Sequence, residues 1–398
     1  MWTETMNKGK TAVIFGITGM DGSHLADLLL EKGYNVYGVA RRTSTNNTER
    51  IAHLLDETNF HLVSGDITDY SSILNVLRDI VDVDEIYNLA AQSHVGESFK
   101  TPGVTWDITG KGCMNILQAI VDLDMLETRF YQASSSEMFG SAFTANCDGD
   151  CKDYDLMTDR GKIILSCTTD FLGEVRTYQD ENTKFLPQSP YAIAKCAAHM
   201  SVRLYREAYG LHASCGILFN HEGPRRGENF VTRKITKWLG EYTHWINKNI
   251  EEQEPQQGEP FLKFDADRIY FGQNDLRGFS KLRLGNLEAK RDWGHAKDYV
   301  RAMYLMLQQE SPNDYVICTE ETRSIKDFLD VAFDKALGDS YENYVVIDPQ
   351  FYRPAEVDFL LGDCSKAKEE LGWSREYYFE DLVTEMVNYD THKTNETV

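Results

Sequence analysis

Thr11-Ala12-Val13-Ile14-Phe15 is an unbroken apolar run that ends at glycine. The turn Gly16-Ile17-Thr18-Gly19-Met20-Asp21-Gly22 then leads into an amphipathic stretch. An apolar run bounded by a turn fits a strand buried on both faces, as in parallel sheets. From Ser23 to Lys32, Leu25, Leu28, Leu29 and Leu30 recur at helical period, and Gly33 stops the helix. A parallel strand needs crossover partners, so the rest of the chain must supply more strand–helix units. It does: the runs Val36–Ala40, Phe60–Val63, Glu85–Ala90 and Arg129–Ala133 alternate with helical patterns at about Ser71–Ile80 and Gly112–Leu123. Right-handed crossovers turn that alternation into an α/β fold, a doubly wound parallel sheet with helices on both faces. Tyr191–Tyr209 reads as a later helix, His212–Phe219 as a further strand, and another helix follows Trp293 to about Gln309.

Two segments break the rhythm. Residues about 141–185 carry Cys147, Cys151 and Cys167 among many aspartates with no clear period. Residues about 243–280 include the polar run Glu251-Glu252-Gln253-Glu254-Pro255-Gln256-Gln257-Gly258-Glu259, which reads as an exposed loop. Both are expected to be surface insertions. The 398 residues hold 41 Lys and Arg against 63 Asp and Glu, a formal charge of −22. Such a chain repels phosphate backbones and anionic lipid, so no nucleic acid and no membrane is expected as a partner. No apolar run approaches the roughly 20 residues of a bilayer span. Met1-Trp2-Thr3-Glu4-Thr5 has no basic-plus-apolar leader, so a cytoplasmic enzyme with reduced thiols is expected. Cys147-Asp148-Gly149-Asp150-Cys151 with Cys167 lacks a fourth ligand at convincing spacing, so no metal site is expected either.

A glycine turn between the first strand and first helix lets backbone N–H groups approach a pyrophosphate at a helix N-terminus. Glycine turns also serve packing alone, and position is what favours a dinucleotide-binding Rossmann unit. Gly16, Ile17, Thr18, Gly19, Met20 and Asp21 are the candidates there. After the second strand, where an NAD site usually places a carboxylate, this chain has Arg41-Arg42-Thr43-Ser44. Two guanidiniums suit the 2′-phosphate of NADP, against the plainer reading of a solvated basic pair. Asp66 and Ile67 after the third strand are candidates for adenine contact, or form a structural turn. Leu89, Ala90, Ala91, Gln92 and Ser93 after the fourth are small enough for close cofactor approach.

Tyr191-Ala192-Ile193-Ala194-Lys195 sets a phenol and an ammonium on one helical face. A neighbouring cation favours phenolate and makes tyrosine a usable general base. The spacing alone is a common accident. It gains weight after the glycine-rich start and behind Pro187-Gln188-Ser189-Pro190.

These residues and several longer blocks resemble the extended short-chain dehydrogenase/reductases, and within them the GDP-mannose 4,6-dehydratase family. The blocks are Ile86-Tyr87-Asn88-Leu89-Ala90-Ala91-Gln92-Ser93-His94-Val95, Phe130-Tyr131-Gln132-Ala133-Ser134-Ser135-Ser136-Glu137, Gly216-Ile217-Leu218-Phe219-Asn220-His221-Glu222, Asn229-Phe230-Val231-Thr232-Arg233-Lys234-Ile235 and Gly285-Asn286-Leu287-Glu288-Ala289-Lys290-Arg291-Asp292-Trp293-Gly294-His295. Tyr352-Arg353-Pro354-Ala355-Glu356-Val357-Asp358 also fits.

The resemblance implies oxidation at C4 of the hexose of GDP-mannose with Tyr191 as base. Loss of water across C5 and C6 with Glu137 as base follows, and the hydride returns to C6 from the same NADP. The reading is that of a hydro-lyase; the runner-up is a C4 epimerase or a dehydratase of another nucleotide sugar. Ser135 stands where most relatives have threonine and would bind O4. Lys195, His221 and Arg226 fall near the cofactor. Asn220, Arg233, Lys234, Arg291 and Arg353 fall near the diphosphate or base, although a lone arginine is more often a surface ion pair. Glu356 pairs with the nucleobase or braces Arg353.

The implied organisation is an NADP-binding Rossmann domain over 8–220 with an insertion at about 141–185 and a return at about 292–320. A sugar-nucleotide lobe takes 221–291 and 321–390, with an insertion at about 243–280. The loop Arg41–Thr48 resembles one that reaches a neighbouring subunit in tetrameric relatives, which implies a homotetramer or homodimer. Val104 replaces a family tyrosine, removing one expected cofactor contact.

Overall fold

The computed structural model describes residues 9–45, 47–146, 154–158, 161–168, 177–252, 262–272, 275–352 and 360–396. Strand β1 (Thr11–Phe15) is buried along its whole length. Its parallel neighbours β2 (Asn35–Ala40) and β4 (Glu85–Asn88) cover both edges, while helices cover both faces. With β3 (Phe60–Ser64) and β5 (Arg129–Ser135), these are the four later apolar runs of the sequence, matched within a residue or two. Among the described residues the sheet has seven strands in the order Asp314–Ile317, β10 (Ala213–Leu218), β5, β4, β1, β2, β3, and every pairing in it is parallel. The strand 314–317 thus rejoins the sheet from far along the chain.

The helices follow from their caps and apolar faces. Helix α1 (Met20–Glu31) ends before Gly33, which takes φ +80°. Asp69 caps α2 (Tyr70–Asp79) by accepting the Ser71 N–H at 2.9 Å. Two single-turn helices, α3 (Val95–Ser98) and α4 (Pro102–Thr105), lead through a π-helical turn into α5 (Gly112–Asp122). Helix α6 (Pro190–Tyr209) starts with Ser189 accepting from Ala192 N–H at 3.0 Å and Pro190 in its first turn; Gly210 stops it at φ +69°. Helices α2, α5 and α6 cover one face of the sheet, while α1 and the helix Ala296–Gln308 cover the other.

Both segments expected to be insertions carry regular structure. Residues 141–185 hold a second sheet rather than irregular chain, built from β6 (Ala142–Asn146), β7 (Tyr154–Thr158), β8 (Gly161–Thr168) and β9 (Thr177–Tyr178) in the order β7-β8-β6-β9. Backbone ladders hold such a sheet, so it needs no apolar alternation visible in the sequence. Its ends close at a neck where Leu186 N–H donates to the Met138 carbonyl at 2.9 Å. Cys147 and Cys151 lie outside the described residues.

The start of the other segment belongs to α7 (Val231–Glu252), which runs well past residue 243. Ile235, Trp238, Leu239 and Tyr242 recur at helical spacing and are buried. They pack with Phe328 and Phe333 and with Phe379, Leu382, Val383 and Met386 in a core of their own. Short antiparallel strands at 262–264, 268–271 and 279–280 follow; the polar run 253–259 lies outside the described residues. Among the described residues, no helix is long and apolar enough to cross a membrane.

Candidate active site

Strand order reverses between β1 and β4, and doubly wound sheets bind ligands in the crevice at such a reversal. The chain meets itself closely there. Gly16 takes φ +89°, and a Cβ on it would lie 2.7 Å from the Ala90 nitrogen and 2.9 Å from the Leu89 carbonyl carbon. Only glycine lets the turn after β1 touch the exit of β4. Gly19 N–H donates to the Gly16 carbonyl at 3.0 Å, and no side chain caps the start of α1. That combination of bare helix N-terminus and glycine cradle fits a pyrophosphate.

Other expected cofactor residues line the same region. Gln92 N–H donates to Thr109 Oγ1 at 3.1 Å, while its buried Oε1 accepts nothing among the described residues. An orphaned buried acceptor costs about 1–3 kcal/mol, so the site suits a ligand donor. Arg41, Arg42, Thr43 and Ser44 are exposed at the exit of β2. The Asp66 carboxylate accepts from Thr68 N–H at 2.9 Å and Thr68 Oγ1 at 2.7 Å, so it builds the turn after β3. Asn115 holds the Ile67 carbonyl at 2.9 Å.

Asp21 and His221 form a half-buried pair, with Nε2 3.0 Å from both carboxylate oxygens and Nδ1 2.8 Å from the Phe219 carbonyl. Burial opposes ionising either group, yet mutual attraction outweighs it: Asp21 sits below the usual carboxylate range and His221 above the usual imidazole range. The His221 ring stacks on Tyr299 at 4.4 Å. The Arg226 guanidinium lies over Phe230 at 3.5 Å, with Glu222 Oε2 3.0 Å from its Nε. Arg50, which no motif marks, donates to the Thr18 carbonyl at 3.2 Å and the Arg225 carbonyl at 2.6 Å, fixing the glycine turn from outside.

At the end of β5 the four expected catalytic residues gather. Lys195 Nζ donates to the Ala133 carbonyl at 2.5 Å and lies 5.7 Å from the centre of the Tyr191 ring. Burial pulls the Lys195 ammonium down to about 8. Burial pushes the Tyr191 phenol up, the hydrogen bond with Ser135 draws it back, and the Glu137 carboxylate adds to the rise. Glu137 sits in the 3-10 turn Ser136–Met138, where its N–H donates to Ser135 Oγ at 3.3 Å. The adjacent Ser134 bonds His199 Nδ1 at 3.0 Å, one turn beyond Lys195. His199 Nε2 is 3.7 Å from Asp314, which Arg206 clasps at 2.5 Å. This bolt, absent from any local motif, holds the register of α6 on the sheet.

The expected substrate residues divide. Asn220 opens β11 (Asn220–Glu222), which pairs with the strand Trp293–His295. Arg291 is buried on the strand Lys290–Arg291, and its Nη1 donates to the Lys290 carbonyl at 2.9 Å. Lys234 lies over the Phe351 ring at 3.6 Å and donates to the Arg283 carbonyl at 2.6 Å. Arg233 departs from its expected place as a cation for the diphosphate. It is buried in a two-pronged pair with Asp390, 2.7 Å on each side, and its Nη1 donates to the Pro224 carbonyl at 2.6 Å. A guanidinium so enclosed braces α7 against the C-terminal helix Phe379–Glu396. Arg353 and Glu356 lie outside the described residues, and Val104 is exposed on α4.

A family model described as the NAD dependent epimerase/dehydratase family matches residues 12–318. GDP-mannose 4,6 dehydratase 1 of Arabidopsis thaliana is 45% identical over 390 residues, covering 96% of this chain and 90% of that one. The GDP-mannose 4,6 dehydratase of Homo sapiens is 40% identical over 402 residues, with coverage of 95% and 91%. The chain belongs to the GDP-mannose 4,6-dehydratase family. Solved structures similar in fold include a dTDP-glucose 4,6-dehydratase from Bacillus anthracis in complex with NAD, at TM-score 0.68, 18% identity and 98% coverage of both chains. A Thermotoga maritima UDP-glucose 4-epimerase with UDP-glucose gives TM-score 0.69 at 20% identity, covering 96% and 99%.

Within this dehydratase family member, two cations stand by the candidate phenol: the Lys195 ammonium, 5.7 Å from the ring centre, and the Arg226 guanidinium, whose attraction favours the ionised form. Lys195→Met is expected to shift the acidic limb of the kcat/KM profile upward, since it removes a positive charge beside the phenol. Turnover at neutral pH should fall by about tenfold or more. A profile unmoved in shape, with only its height changed, would assign Lys195 to binding instead.

Proposed function

We propose that the chain is a hydro-lyase that converts GDP-mannose into GDP-4-keto-6-deoxymannose and water with NADP as a recycled cofactor. The observation that carries this is the presence of two different bases at one strand end. Tyr191, with Lys195 and Ser135, serves the C4 hydroxyl; Glu137 lies two residues beyond Ser135. A C4 epimerase needs the first set alone, whereas elimination across C5 and C6 needs a second group for the C5 proton.

The glycine turn from Gly16 to Asp21 would hold the cofactor's pyrophosphate, Arg41, Arg42, Thr43 and Ser44 its 2′-phosphate, and Lys195 its nicotinamide ribose. When bound, NADP supplies the hydride acceptor for C4 and the donor for C6, so oxidation and reduction cancel. The protein's own groups move the protons. Tyr191 takes the C4 hydroxyl proton while Ser135 hydrogen-bonds the same oxygen. The resulting ketone acidifies C5–H, which Glu137 removes. Glu137 then hands that proton to the C6 hydroxyl, which leaves as water. The proton held by Tyr191 returns to C5 as C6 is reduced, and net loss is one water. Residues 8–220 with the return at 292–320 are the proposed cofactor part; 221–291 and 321–390 are the proposed sugar-nucleotide part, with Asn220, Lys234 and Arg291 toward the diphosphate.

A second copy of the chain is the proposed protein partner. Ile193, Met200 and Leu204 form one exposed apolar stripe along α6, with Trp106 exposed on the neighbouring π-helical turn.

Mass spectrometry with GDP-mannose and catalytic NADP should show loss of one water with no lasting NADPH. Glu137→Gln is expected to cut water loss at least about 100-fold and leave NADP affinity unchanged. Normal dehydration by that variant would remove Glu137 from the C5 step. Arg41→Ala with Arg42→Ala should weaken NADP about 10–100-fold while hardly touching NAD, as titration would show. Equal losses would sink the 2′-phosphate assignment. Leu204→Glu should lower the mass seen by light scattering, and an unchanged mass would move the interface elsewhere.

A further inference from the structure

We infer that Gln179 is a positioning residue for the elimination step, an inference that rests on the dehydratase reading above. Gln179 is fully buried and follows β9 at the exit of the inserted sheet. It joins two parts of the molecule. On one side its Nε2 donates to the Ala142 carbonyl at 2.8 Å and reaches the Gly140 carbonyl at 3.4 Å. On the other its backbone N–H donates to the Leu361 carbonyl at 2.9 Å and its carbonyl accepts from Asp363 N–H at 3.0 Å, a parallel bridge to Gly362.

Each side leads to a group of the proposed reaction. Gly140 lies three residues beyond Glu137, in a tight neck: it takes φ +55°, and a Cβ on it would stand 2.0 Å from the Leu186 carbonyl oxygen. Phe139 between them is buried against Phe185 and Phe219, with ring centres at 5.5 and 6.3 Å. On the far side, Gly362 N–H donates to the Asp292 carboxylate. Asp292 also accepts from Thr319 N–H at 2.7 Å and Glu320 N–H at 3.0 Å, and it is the residue after Arg291. A Cβ on Gly362 would meet Cys318 Cβ at 2.5 Å, so this side has no slack. Hydrogen bonds and short lengths of buried chain therefore run from the turn that carries Glu137, through Gln179, to the strand that carries Arg291.

The two chemical stages depend on different supports. Proton removal at C4 uses Tyr191, Lys195 and Ser135, which sit on α6 and at the end of β5 beside the His199–Asp314 bolt; the side-chain hydrogen bonds of Gln179 go to Gly140 and Ala142 and not to these three. Removal of the C5 proton requires Glu137 to stand correctly against a sugar whose diphosphate is fixed elsewhere. Misplacement by about 1 Å costs such a step roughly 100-fold. Loosening Gln179 should thus slow water loss and leave C4 oxidation intact.

The test compares Gln179→Met and Gln179→Glu with the unaltered protein, loaded with NADP and mixed with GDP-mannose in single turnover. The near-ultraviolet absorbance of reduced nicotinamide follows C4 oxidation; mass spectrometry follows water loss. Both variants keep the volume and the backbone bridge, and both lose the amide donor. The expected result is an oxidation rate within about twofold of the unaltered protein, water loss slower by about 10–100-fold, and reduced cofactor that accumulates. Equal slowing of both stages with a lowered melting temperature would make Gln179 a purely structural residue and overturn the inference, as would two unchanged stages. If the unaltered protein releases no water from GDP-mannose, the dehydratase reading itself fails, and the role of Gln179 falls with it.

Discussion

The missing side chain at Gly16 is the constraint on which the site depends. It allows the turn after β1 to rest against the backbone of Leu89 and Ala90. That contact brings the carboxyl ends of β1 and β4 together at the reversal of strand order. Everything downstream is placed relative to that crevice. Helix α1 begins there at Gly19, with no capping side chain among the described residues, which suits its first N–H groups to an anion. Beside β4, β5 ends at Ser135 and delivers Glu137 two residues later. A methyl group at Gly16 would separate the two halves of the crevice before any charge or base came into play.

Electrostatics then work locally against the global balance. The chain carries a formal charge of −22, yet Arg50, Arg226, His221 and Lys195 cluster around the glycine turn and the end of β5. Burying cations is costly, and the protein offsets that cost by neighbours rather than by exposure. His221 is held by Asp21, Arg226 by Glu222 and the Phe230 face, and Lys195 by the Ala133 carbonyl. Lys195 is the least compensated, which is why burial draws it down to about 8. A poorly compensated ammonium beside a buried phenol is a charge that an ionised phenol would relieve.

Much of this was legible because it is local. The buried run at Thr11–Phe15, the glycine turn, the four later apolar runs and the Tyr191–Lys195 spacing all express periodicities of two or 3.6 residues within short windows. The inserted sheet was not legible, since pairing between β6 and β8 across a long gap leaves no period. The extension of α7 past residue 243 was hidden for another reason: its polar outer face merges with the acidic run that follows, although Ile235, Trp238, Leu239 and Tyr242 keep helical spacing. Arg233 looked like a ligand cation because the carboxylate that engages it, Asp390, lies far along the chain.

The sequence by itself determined the doubly wound sheet, the place of the glycine turn and the candidate bases, because backbone sterics and apolar periodicity act between near neighbours. Tertiary structure alone decided which cations face the crevice and which are engaged elsewhere. It also decided that His199 and Asp314 secure α6, and that Gln179 splices the inserted sheet to residues 361–363. Those outcomes depend on pairing groups dozens to hundreds of residues apart. Hydrogen bonds and ion pairs are satisfied only once the core has fixed both partners, so no local pattern announces them.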